Sequence, residues 1–480
     1  MGNIVLIILD TVRKDYFDKY ASRLKKRSNV SFTQCRASSA WSVPSHGSIL
    51  TGKLPHKHGV HSHNPEFSQI EYSDTFFKYI EDYSKIGISA NKYASEAFGF
   101  DAYFDDFQSI APAKRFSDGL DLREFTNECE SDNKYLRIMS FIKQALKNDH
   151  TFQSLANGIL TELNNKSSRS ILPKILDDGA NIICKETIES VKTTREPFFA
   201  YLNFMDAHAP FHHIIGFDRE LHSVPNSWTS SQFNSWEITA GDMIEKHNKN
   251  IQYSRELYRA AIDYLDKKVS YLIDKIQSQT KENTTFIITS DHGENLAFKE
   301  DNHLFTHSSS LTEGLLHVPC EIVSPPQYDK KIHSGYFSQL NFGKLIRSIS
   351  SGKVQYPCQE EIVAELIGIS PGNWSLDGSE GYQLTEEEFQ YFDRAIRCLY
   401  LDNTKMVLDS LGNRKCYIIN KNKPNWQLEK NISECDINKV DDHNKFSCDI
   451  NTSKEKARQE ANSVVLSYST RSRLKDLGYL

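Results

Sequence analysis

Side chains that can bind a cation or move a proton follow three separate apolar runs of this sequence. They are Asp10 and Thr11 after residues 3–9, Asp206 and His208 after residues 197–204, and Asp291 and His292 after residues 284–290. One aspartate after a strand is more often a turn cap than a ligand, but three such ends in one chain favour a shared site. Two carboxylates and an imidazole suit Mg²⁺, Ca²⁺, Mn²⁺ or Zn²⁺. An ion held there would draw in a hydroxyl oxygen and favour its deprotonation.

The stretch "AWSVPSHGSILTG", residues 40–52, supplies such a hydroxyl at a predicted helix start. Pro44 fits the first helical position, where its missing amide proton costs nothing. Ser42 then lies at the helix entrance, among backbone donors and the positive end of the helix dipole. That environment stabilises an alkoxide and an oxyanion. Capping alone would explain Ser42 without a cation, but with a cation site nearby we predict that Ser42 is a nucleophile.

Five short apolar runs are predicted to be strands, and three longer stretches have apolar positions at helical spacing. The strands are residues 3–9, 85–90, 197–204, 284–290 and 319–324, and the helices are residues 75–83, 181–194 and 254–279. Alternation of this kind predicts an α/β fold with a mainly parallel central sheet flanked by helices. Sites in such folds lie beyond the carboxyl ends of the strands, where the candidate side chains occur.

The chain is predicted to have two parts of unequal size. We expect a catalytic α/β domain over residues 1–352 and a smaller C-terminal subdomain over residues 353–480. A helical insertion at about 108–180, which could wall or cover the site, interrupts the larger part. In the smaller part, residues 405–412 and 414–421 predict a hairpin within a small antiparallel α+β unit.

Composition and charge exclude several classes of protein. The 480 residues carry a net charge of −6, whereas a nucleic-acid-binding domain has a basic surplus. The apolar run from Ile4 to Leu9 is too short to span a membrane and lacks the features of a signal peptide. Nine cysteines without a C-x-x-C pair do not form the pattern of a disulfide or zinc framework. We therefore expect a cytoplasmic protein with no transmembrane segment and no nucleic-acid partner.

The order of these motifs resembles the sulfatase family of the alkaline phosphatase superfamily. "NIVLIILDTVRKD" resembles its opening strand with a metal-binding aspartate, and "SVPSHGSILTGKLPHKHGV" resembles its C/S-x-P-S-R and T-G-x-x-P-x-x-H-G signature. Four further stretches resemble other blocks typical of the family, namely "ISANKYASEAFGFDAYFDDF", "NFMDAHAPF", "TSDHGEN" and "THSSSLTEGLLHVPCEIVSPP". The resemblance covers the whole predicted large domain, and it implies an alkaline-phosphatase-like fold and an ester hydrolase.

The resemblance also implies a set of metal ligands. Asp10, Asp291 and His292 would bind one divalent ion, with Ser42 as a fourth ligand once deprotonated. Ca²⁺ and Mg²⁺ are favoured, with Mn²⁺ and Zn²⁺ as alternatives. Thr11 occupies a place where many relatives have a second acidic ligand.

Other positions are implied to contact the substrate. His208 would contact the substrate oxyanion or the leaving oxygen, and His307 would act as the general acid, with His303 as a nearby alternative. Asn91 and Lys92 occupy places where relatives have polar or basic groups that contact the substrate, and Lys92 could neutralise an anionic ester.

One departure from the family pattern bears on the chemistry. Relatives that cleave sulfate esters oxidise the nucleophile to formylglycine, and the modifying enzyme expects arginine four residues later, where this chain has His46. An unmodified serine would form a sulfo-enzyme that is hard to hydrolyse, so an unmodified Ser42 favours phosphate chemistry. We expect His46 to hold an oxyanion, and the alternative is a surface histidine in the first turn of a helix.

These residues predict a metal-dependent sulfatase-family hydrolase that cleaves a sulfate ester through Ser42 or its formylglycine form. Its substrate would be an anionic ester on a sulfated or phosphorylated glycan or a small molecule. One alternative is a phosphodiesterase or phosphotransferase that uses unmodified Ser42 on a glycan precursor. Another is a non-catalytic binding protein on the same scaffold. The alcohol that carries the ester and the oligomeric state stay open.

Overall fold

A computed structural model describes residues 2–110, 119–120, 125, 134–167, 173–307, 309–327, 330–379, 381–441 and 445–461. Parts of the predicted insertion (108–180) and of the predicted C-terminal subdomain (353–480) therefore lie outside the described residues. None of the described helices combines the length and the apolar character needed to cross a bilayer.

The larger of the two main sheets has eight strands. In chain order they are β1 (Asn3–Leu9), β2 (Val30–Arg36), β3 (Ser84–Ser89), β4 (Asp106–Ser109), β5 (Phe198–Phe204), β6 (Thr284–Thr289), β7 (Cys320–Val323) and β8 (Lys331–Ser338). Their order across the sheet is β4-β3-β5-β1-β6-β7-β2-β8. Among these strands only β7 runs antiparallel to its neighbours, and every other pair is parallel. The predicted mainly parallel sheet is confirmed.

Helices cover both faces of this sheet. In chain order the helices are α1 (Lys14–Tyr20), α2 (Ser22–Arg27), α3 (Ser42–Thr51), α4 (Pro55–His58), α5 (Lys134–Ala145), α6 (Thr151–Ser167), α7 (Ala180–Thr193), α8 (Trp236–Thr239), α9 (Asn248–Gln279), α10 (Glu313–Leu316), α11 (Phe342–Ser350), α12 (Glu386–Phe392) and α13 (Ile450–Ala461). Alternate side chains of β1 enter two cores, with Ile4 packed beside α3 and α11 and Val5 packed beside α7 and α9. This helix–sheet–helix layering confirms the predicted α/β fold class.

The strand order brings the carboxyl ends of β3, β5, β1 and β6 side by side. Leu9 of β1 pairs with Phe204 of β5, Ser89 of β3 pairs with Asn203 of β5, and β6 pairs with β1 along its whole length. Because neighbouring parallel strands end at the same edge, the loops that follow these four strands meet there. All three acidic or imidazole strand ends predicted from the sequence belong to this edge.

A second sheet of five antiparallel strands follows in the chain. Its strands are β9 (Glu361–Ile367), β12 (Ala395–Leu401), β13 (Thr404–Asp409), β14 (Arg414–Ile419) and β15 (Gln427–Lys430), and a short separate pair is formed by β10 (Trp374–Ser375) and β11 (Tyr382–Gln383). Strands β13 and β14 form the predicted hairpin, which is confirmed.

A buried ion network and a shared core join the two sheets. Arg36 at the end of β2 contacts Glu313 at 3.0 Å, and Lys405 of β13 contacts the same carboxylate at 3.2 Å. Burial alone would raise the pKa of Glu313, but Arg36 and Lys405 outweigh burial and lower it. The core that contains Ile4 also contains Ile362 of β9. The smaller sheet is therefore fixed to the larger one by opposite charges and by apolar contact.

Three local features differ from the sequence-based expectations. The predicted helix over 75–83 is wrong, because only a 3₁₀ turn over Phe76–Tyr79 forms, with both of its phenylalanines in the core rather than on one helical stripe. Strand β2 has partly exposed Ser31 and Thr33 between buried residues, and this alternation hid it from a search for continuous apolar runs. Cys416 of β14 and Cys435, which follows β15 in the chain, form a disulfide although no cysteine pairing was expected.

Candidate active site

Asp10 and Thr11 form the turn that follows β1. Asp10 Oδ2 accepts a hydrogen bond from the Asn91 amide at 2.6 Å, whereas Asp10 Oδ1 is buried with no hydrogen-bond partner among the described residues. Thr11 has a φ of +62°, a conformation that β-branched residues rarely adopt. Its hydroxyl contacts the carbonyl oxygens of Asp10 and Ala207 at 2.7 and 3.1 Å. The Thr11 side chain thus braces the turn, and its role as a ligand stays a prediction.

Asp291 and His292 follow β6 and face Asp10, and one ligand atom from each of the three residues lies within 4.8 Å of the other two. The Nδ1–H of His292 donates to the Gly293 carbonyl at 2.8 Å, so the lone pair is on Nε2, which lies 3.5 Å from Asp291 Oδ2. Asp291 Oδ2 is also buried with no hydrogen-bond partner among the described residues. Two orphaned carboxylate oxygens and one imidazole lone pair fit a divalent cation.

The electrostatics of these three residues favour a positive ion. Burial and the neighbouring Asp291 carboxylate raise the pKa of Asp10 well above its ordinary value. Burial acts in the same direction on Asp291, but the rings of His292 and His46 and the Ser42 hydroxyl lower its pKa. Burial lowers the pKa of His292 to about 4, so its ring is neutral and can act as a ligand. A cation between them would offset the repulsion of the two acids.

Ser42 is the first residue of α3, and the extended residue Trp41 precedes it. The Ser42 hydroxyl lies 3.4 Å from Asp10 Oδ2 and 3.4 Å from His292 Nε2, and it accepts a hydrogen bond from the Asn91 amide at 2.9 Å. Pro44 is the third helical residue and not the first as predicted. Proline is still tolerated at this position, because the backbone N–H of the third helical residue has no hydrogen-bond acceptor within the helix. The structure therefore places the hydroxyl beside all three proposed ligand residues.

His46 lies one turn after Ser42, at the base of the site. Its Nδ1–H donates to the Ser42 carbonyl at 2.7 Å, and its Nε2 accepts a hydrogen bond from the Asn203 amide at 3.0 Å. Burial lowers the pKa of His46, so the ring is neutral. The alternative of a surface histidine is wrong, because the residue is 1% exposed. Both ring nitrogens are occupied inside the protein, and a contact between His46 and an oxyanion stays a prediction.

His307 lies against the other histidines of the site. Its ring centroid is 5.0 Å from that of His292 and 5.0 Å from that of His208. Its Nδ1 contacts Glu294 Oε1 at 3.3 Å. Burial disfavours a charge on this ring, but the Glu294 carboxylate outweighs burial and raises the pKa of His307 above its ordinary value. His307 therefore keeps its proton to a higher pH than an ordinary histidine, in a position next to the candidate cation site.

His208, from the loop after β5, is held in the opposite protonation state. Its Nδ1–H donates to the Ala209 carbonyl, and burial together with His307 lowers the pKa of His208 to about 4. A neutral ring with its proton on Nδ1 has a lone pair on Nε2. The His208 and His307 rings thus offer an acceptor and a donor next to each other. Asp206 in the same loop accepts a hydrogen bond from the Asp178 amide at 3.2 Å, so it anchors a neighbouring segment.

The three predicted substrate-binding residues differ in their placement. Asn91 follows β3 and its amide donates to both Asp10 and Ser42, so it orients the Ser42 hydroxyl as well as facing the site. Lys92 is the next residue and is half-buried. His303 is exposed in a turn with a φ of +61°, and in the part of the chain that the structure describes its ring makes no contact with the site histidines. The geometry thus favours His307 over His303 as a proton donor.

Two residues of the site have no role assigned from the sequence. Glu294 belongs to the "SDHGEN" strand end, and its acidic type two residues after His292 was the available signal. Asn203 is the one amide side chain in the run 197–204, and a buried polar residue in such a strand indicates a specific side-chain partner. That partner, His46, is distant in sequence, which is why the pair could not be predicted.

The Sulfatase family model matches residues 2–346 of this chain, a range that includes every residue of the site. The chain belongs to the Sulfatase family. The family resemblance that the sequence motifs predicted is confirmed, and the strand ends that carry those motifs are the ones that meet at the site.

Comparisons with individual proteins place this sulfatase-family chain among distant relatives. It resembles the solved phosphonate monoester hydrolase SpPMH from Silicibacter pomeroyi with a TM-score of 0.58 and 12% identity, over 97% of this chain and 96% of that one. It is 23% identical to human iduronate 2-sulfatase over 224 residues, which are 42% of this chain and 38% of the relative. It is 21% identical to the uncharacterized sulfatase YidJ of Escherichia coli K12 over 238 residues, which are 48% of this chain and 46% of the relative. The match thus covers less than half the length of these curated relatives, and the structural likeness concerns the fold.

Proposed function

We propose that this protein is a cation-dependent hydrolase that cleaves a sulfate ester on a glycan or a small molecule. The observation that carries the proposal is the Ser42 hydroxyl, held at the start of a helix 3.4 Å from both Asp10 and His292. A hydroxyl beside two buried acids and a neutral imidazole is arranged for nucleophilic attack. Two relatives, human iduronate 2-sulfatase and the Escherichia coli sulfatase YidJ, support the same class of ester.

Asp10, Asp291 and His292 would hold the divalent cation, and their two carboxylates favour Ca²⁺ or Mg²⁺ over softer ions. When bound, the ion supplies positive charge that lowers the pKa of a neighbouring hydroxyl and neutralises the charge of a sulfate group. Asn91 donates to Ser42 Oγ at 2.9 Å and so fixes its direction. The start of α3 adds backbone donors for the substrate oxygens.

In the proposed reaction Ser42 Oγ, or a hydroxyl of its formylglycine hydrate, passes its proton to the Asp10 carboxylate at 3.4 Å and attacks the sulfur of the ester. The bond between sulfur and the alcohol oxygen breaks on the opposite side, and both electrons of that bond stay on the oxygen. His307 then transfers its proton to this oxygen, and the alcohol leaves. In the hydrate, the second hydroxyl loses its proton, the carbon–oxygen bond to sulfate breaks and the aldehyde forms, to which water adds again. From an unmodified Ser42, water must instead attack the sulfur to release sulfate and restore the hydroxyl. Neutral His208 would accept a hydrogen bond from the substrate, and Lys92 would neutralise part of its charge.

A second candidate function is a phosphodiesterase or phosphotransferase that uses unmodified Ser42. The observation that favours it is His46, whose neutral ring is fully committed to Ser42 and Asn203 where the modification signal of sulfatases has arginine. A serine that stays unmodified suits phosphoester chemistry, because phospho-enzymes hydrolyse or pass their group onward. The third candidate, a binding protein without turnover, is disfavoured by the complete set of ligands and proton donors.

The mass of the peptide that contains Ser42, measured together with turnover of matched aryl esters, tests these alternatives. A peptide lighter by two hydrogens, with turnover of an aryl sulfate, supports the sulfatase and a formylglycine nucleophile. An unmodified serine with turnover of an aryl phosphodiester alone supports the second candidate. Absence of turnover of both esters in the presence of Ca²⁺ or Mg²⁺ contradicts both enzymes.

A further inference from the structure

Helices α5 and α6 form a hairpin, here named the insertion hairpin, that has its own small core. Phe141 and Ala145 of α5 pack against Leu155 of α6. The contact is close enough that a Cβ at Gly158 would lie 2.5 Å from the Phe141 ring, so the helices touch through a glycine. These residues form the inner face of the insertion hairpin, where the two helices contact each other. The opposite face of each helix, here named the outer face, does not belong to this core.

The outer face of α5 is apolar and exposed. Met139 and Ile142 of α5 and Leu146, the first residue after it, recur at spacings of three and four residues. The Leu146 amide still donates to the Ile142 carbonyl at 2.9 Å, so the three side chains lie on one stripe. Met139 is 67% exposed and Leu146 is 62% exposed. On α6, Phe152 and Ile159 are two turns apart and lie on a common face, with 80% of Phe152 exposed. Exposed apolar residues clustered at helical spacing mark an interaction surface rather than ordinary surface scatter.

The charge around this stripe is positive in a protein that is negative overall. Residues 134–147 contain Lys134, Arg137, Lys143 and Lys147 and no aspartate or glutamate, whereas the whole chain has a net charge of −6. Lys143 and Lys147 are exposed and lie beside the apolar stripe on the helix. A helix with an apolar face bordered by lysine is typical of segments that lie in the interface of an anionic membrane.

From the stripe and its charges we infer that the insertion hairpin is a docking surface for an anionic lipid bilayer. Apolar side chains of α5 and α6 insert among the acyl chains near the headgroups, and Lys143 and Lys147 contact the anionic headgroups. A second copy of this chain fits the surface less well, because symmetric contact would bring like charges of two α5 helices together. The negative remainder of the molecule would be repelled from the bilayer, so the insertion hairpin is the part that faces it.

Flotation of the full-length protein with lipid vesicles tests this inference. The vesicles contain phosphatidylcholine alone or phosphatidylcholine mixed with phosphatidylglycerol, at low and at high salt. We expect the protein to float with the mixed vesicles, and high salt should weaken the binding because the charges are screened. The double variant M139S/L146S should lose about ten-fold or more in affinity, since each buried methylene contributes to interfacial binding. The double variant K143E/K147E should lose the preference for anionic lipid.

The control variant I332S removes an apolar side chain of similar exposure, 74%, from β8, far in sequence from the insertion hairpin. It should bind vesicles like the wild-type protein. Thermal unfolding of every variant verifies that the chain is folded, and this readout does not depend on ester hydrolysis. Absence of flotation with anionic vesicles at low salt, or equal loss in I332S, would overturn the inference. A dimer that M139S/L146S converts to a monomer, without vesicle binding, would assign the surface to a second copy instead.

Discussion

The histidines around Ser42 differ in protonation because their hydrogen-bond partners differ. His292 and His208 donate to backbone carbonyls and are buried, so each is neutral with a pKa of about 4. His307 faces the Glu294 carboxylate, which keeps a proton on its ring despite burial. Neutral rings can bind a cation or accept a hydrogen bond, whereas a protonated ring can donate to a leaving group. One type of side chain thus supplies different functions within a single site.

The role of Glu294 leads to a prediction about pH dependence. A general acid must be protonated, so kcat/KM should fall as pH rises through the raised pKa of His307. Glu294→Gln removes the carboxylate but preserves the shape, so burial would then lower the pKa of His307 and move this fall to lower pH. His307→Gln should reduce kcat by about 10²–10⁴ for an ester with a poor leaving group. The pH profiles of the wild-type protein, both variants and His303→Gln are the measurement.

The outcomes for these variants separate the two candidate acids. His303 is exposed and remote from the site rings, so His303→Gln should leave the profile unchanged. A profile that Glu294→Gln does not move would contradict the proposed role of Glu294. A large loss in His303→Gln would transfer the acid role to that residue.

At the scale of elements, the site depends on four parallel strands that end at one edge. The sequence predicts these strands well, because each is a continuous apolar run buried between helices. It does not predict how the nucleophile helix is held, since that depends on a contact between distant elements. Asn203 at the end of β5 binds His46, and His46 binds the carbonyl of Ser42 in α3. Strand β2 was also missed, because partial exposure of Ser31 and Thr33 breaks its apolar pattern.

The contact between β5 and α3 can be tested by Asn203→Leu. The substitution leaves Nε2 of His46 buried without a donor, so we expect the free energy of unfolding to fall by about 1–3 kcal/mol. Turnover should fall as well, because the Ser42 carbonyl loses its fixed position. Denaturant unfolding and steady-state kinetics are the measurements. Asn451→Ala, at an exposed position of α13, should change stability by less than about 0.5 kcal/mol. Equal effects of the two substitutions would show that the contact does not hold α3.

At the scale of the whole molecule, the two buried acids make stability depend on a cation. Asp10 and Asp291 face each other with an orphaned oxygen on each, and no positively charged lysine or arginine contacts them among the described residues. The fold without an ion must therefore bear the repulsion between two acids. The sequence predicts this ligand set from spacing at strand ends. The sequence does not predict that the pKa of Asp10 is raised and the pKa of Asp291 is lowered, because each direction depends on the neighbours that surround the carboxylate.

The raised pKa of Asp10 predicts opposite effects of Asp10→Asn with and without metal. Ca²⁺ or Mg²⁺ should raise the unfolding free energy of the wild-type protein by about 2.7 kcal/mol when the ion exceeds its Kd by about 100-fold. In Asp10→Asn this gain should vanish together with bound metal and turnover. In the presence of a chelator, however, the variant should unfold at a higher temperature than the wild-type protein, because burial and the Asp291 carboxylate raise the pKa of Asp10 and so disfavour its charged form in the fold. Thermal unfolding and metal analysis of both proteins are the measurements, and an equal gain from the ion in both would refute the ligand assignment.

The network around Glu313 has a consequence for how the chain holds together. The region that the family model matches ends at residue 346, before β9 begins, yet Lys405 and Ile362 complete the charge balance and the core of the larger sheet. In a chain cut at residue 346, Glu313 would lose Lys405 and be exposed to water. The core of the larger sheet would lose Ile362. The smaller sheet, separated in turn, would expose Lys405 and apolar side chains such as Ile362 to water. We therefore expect a fragment that ends at residue 346 to be less stable than the full chain, although it contains the whole region that the family model matches.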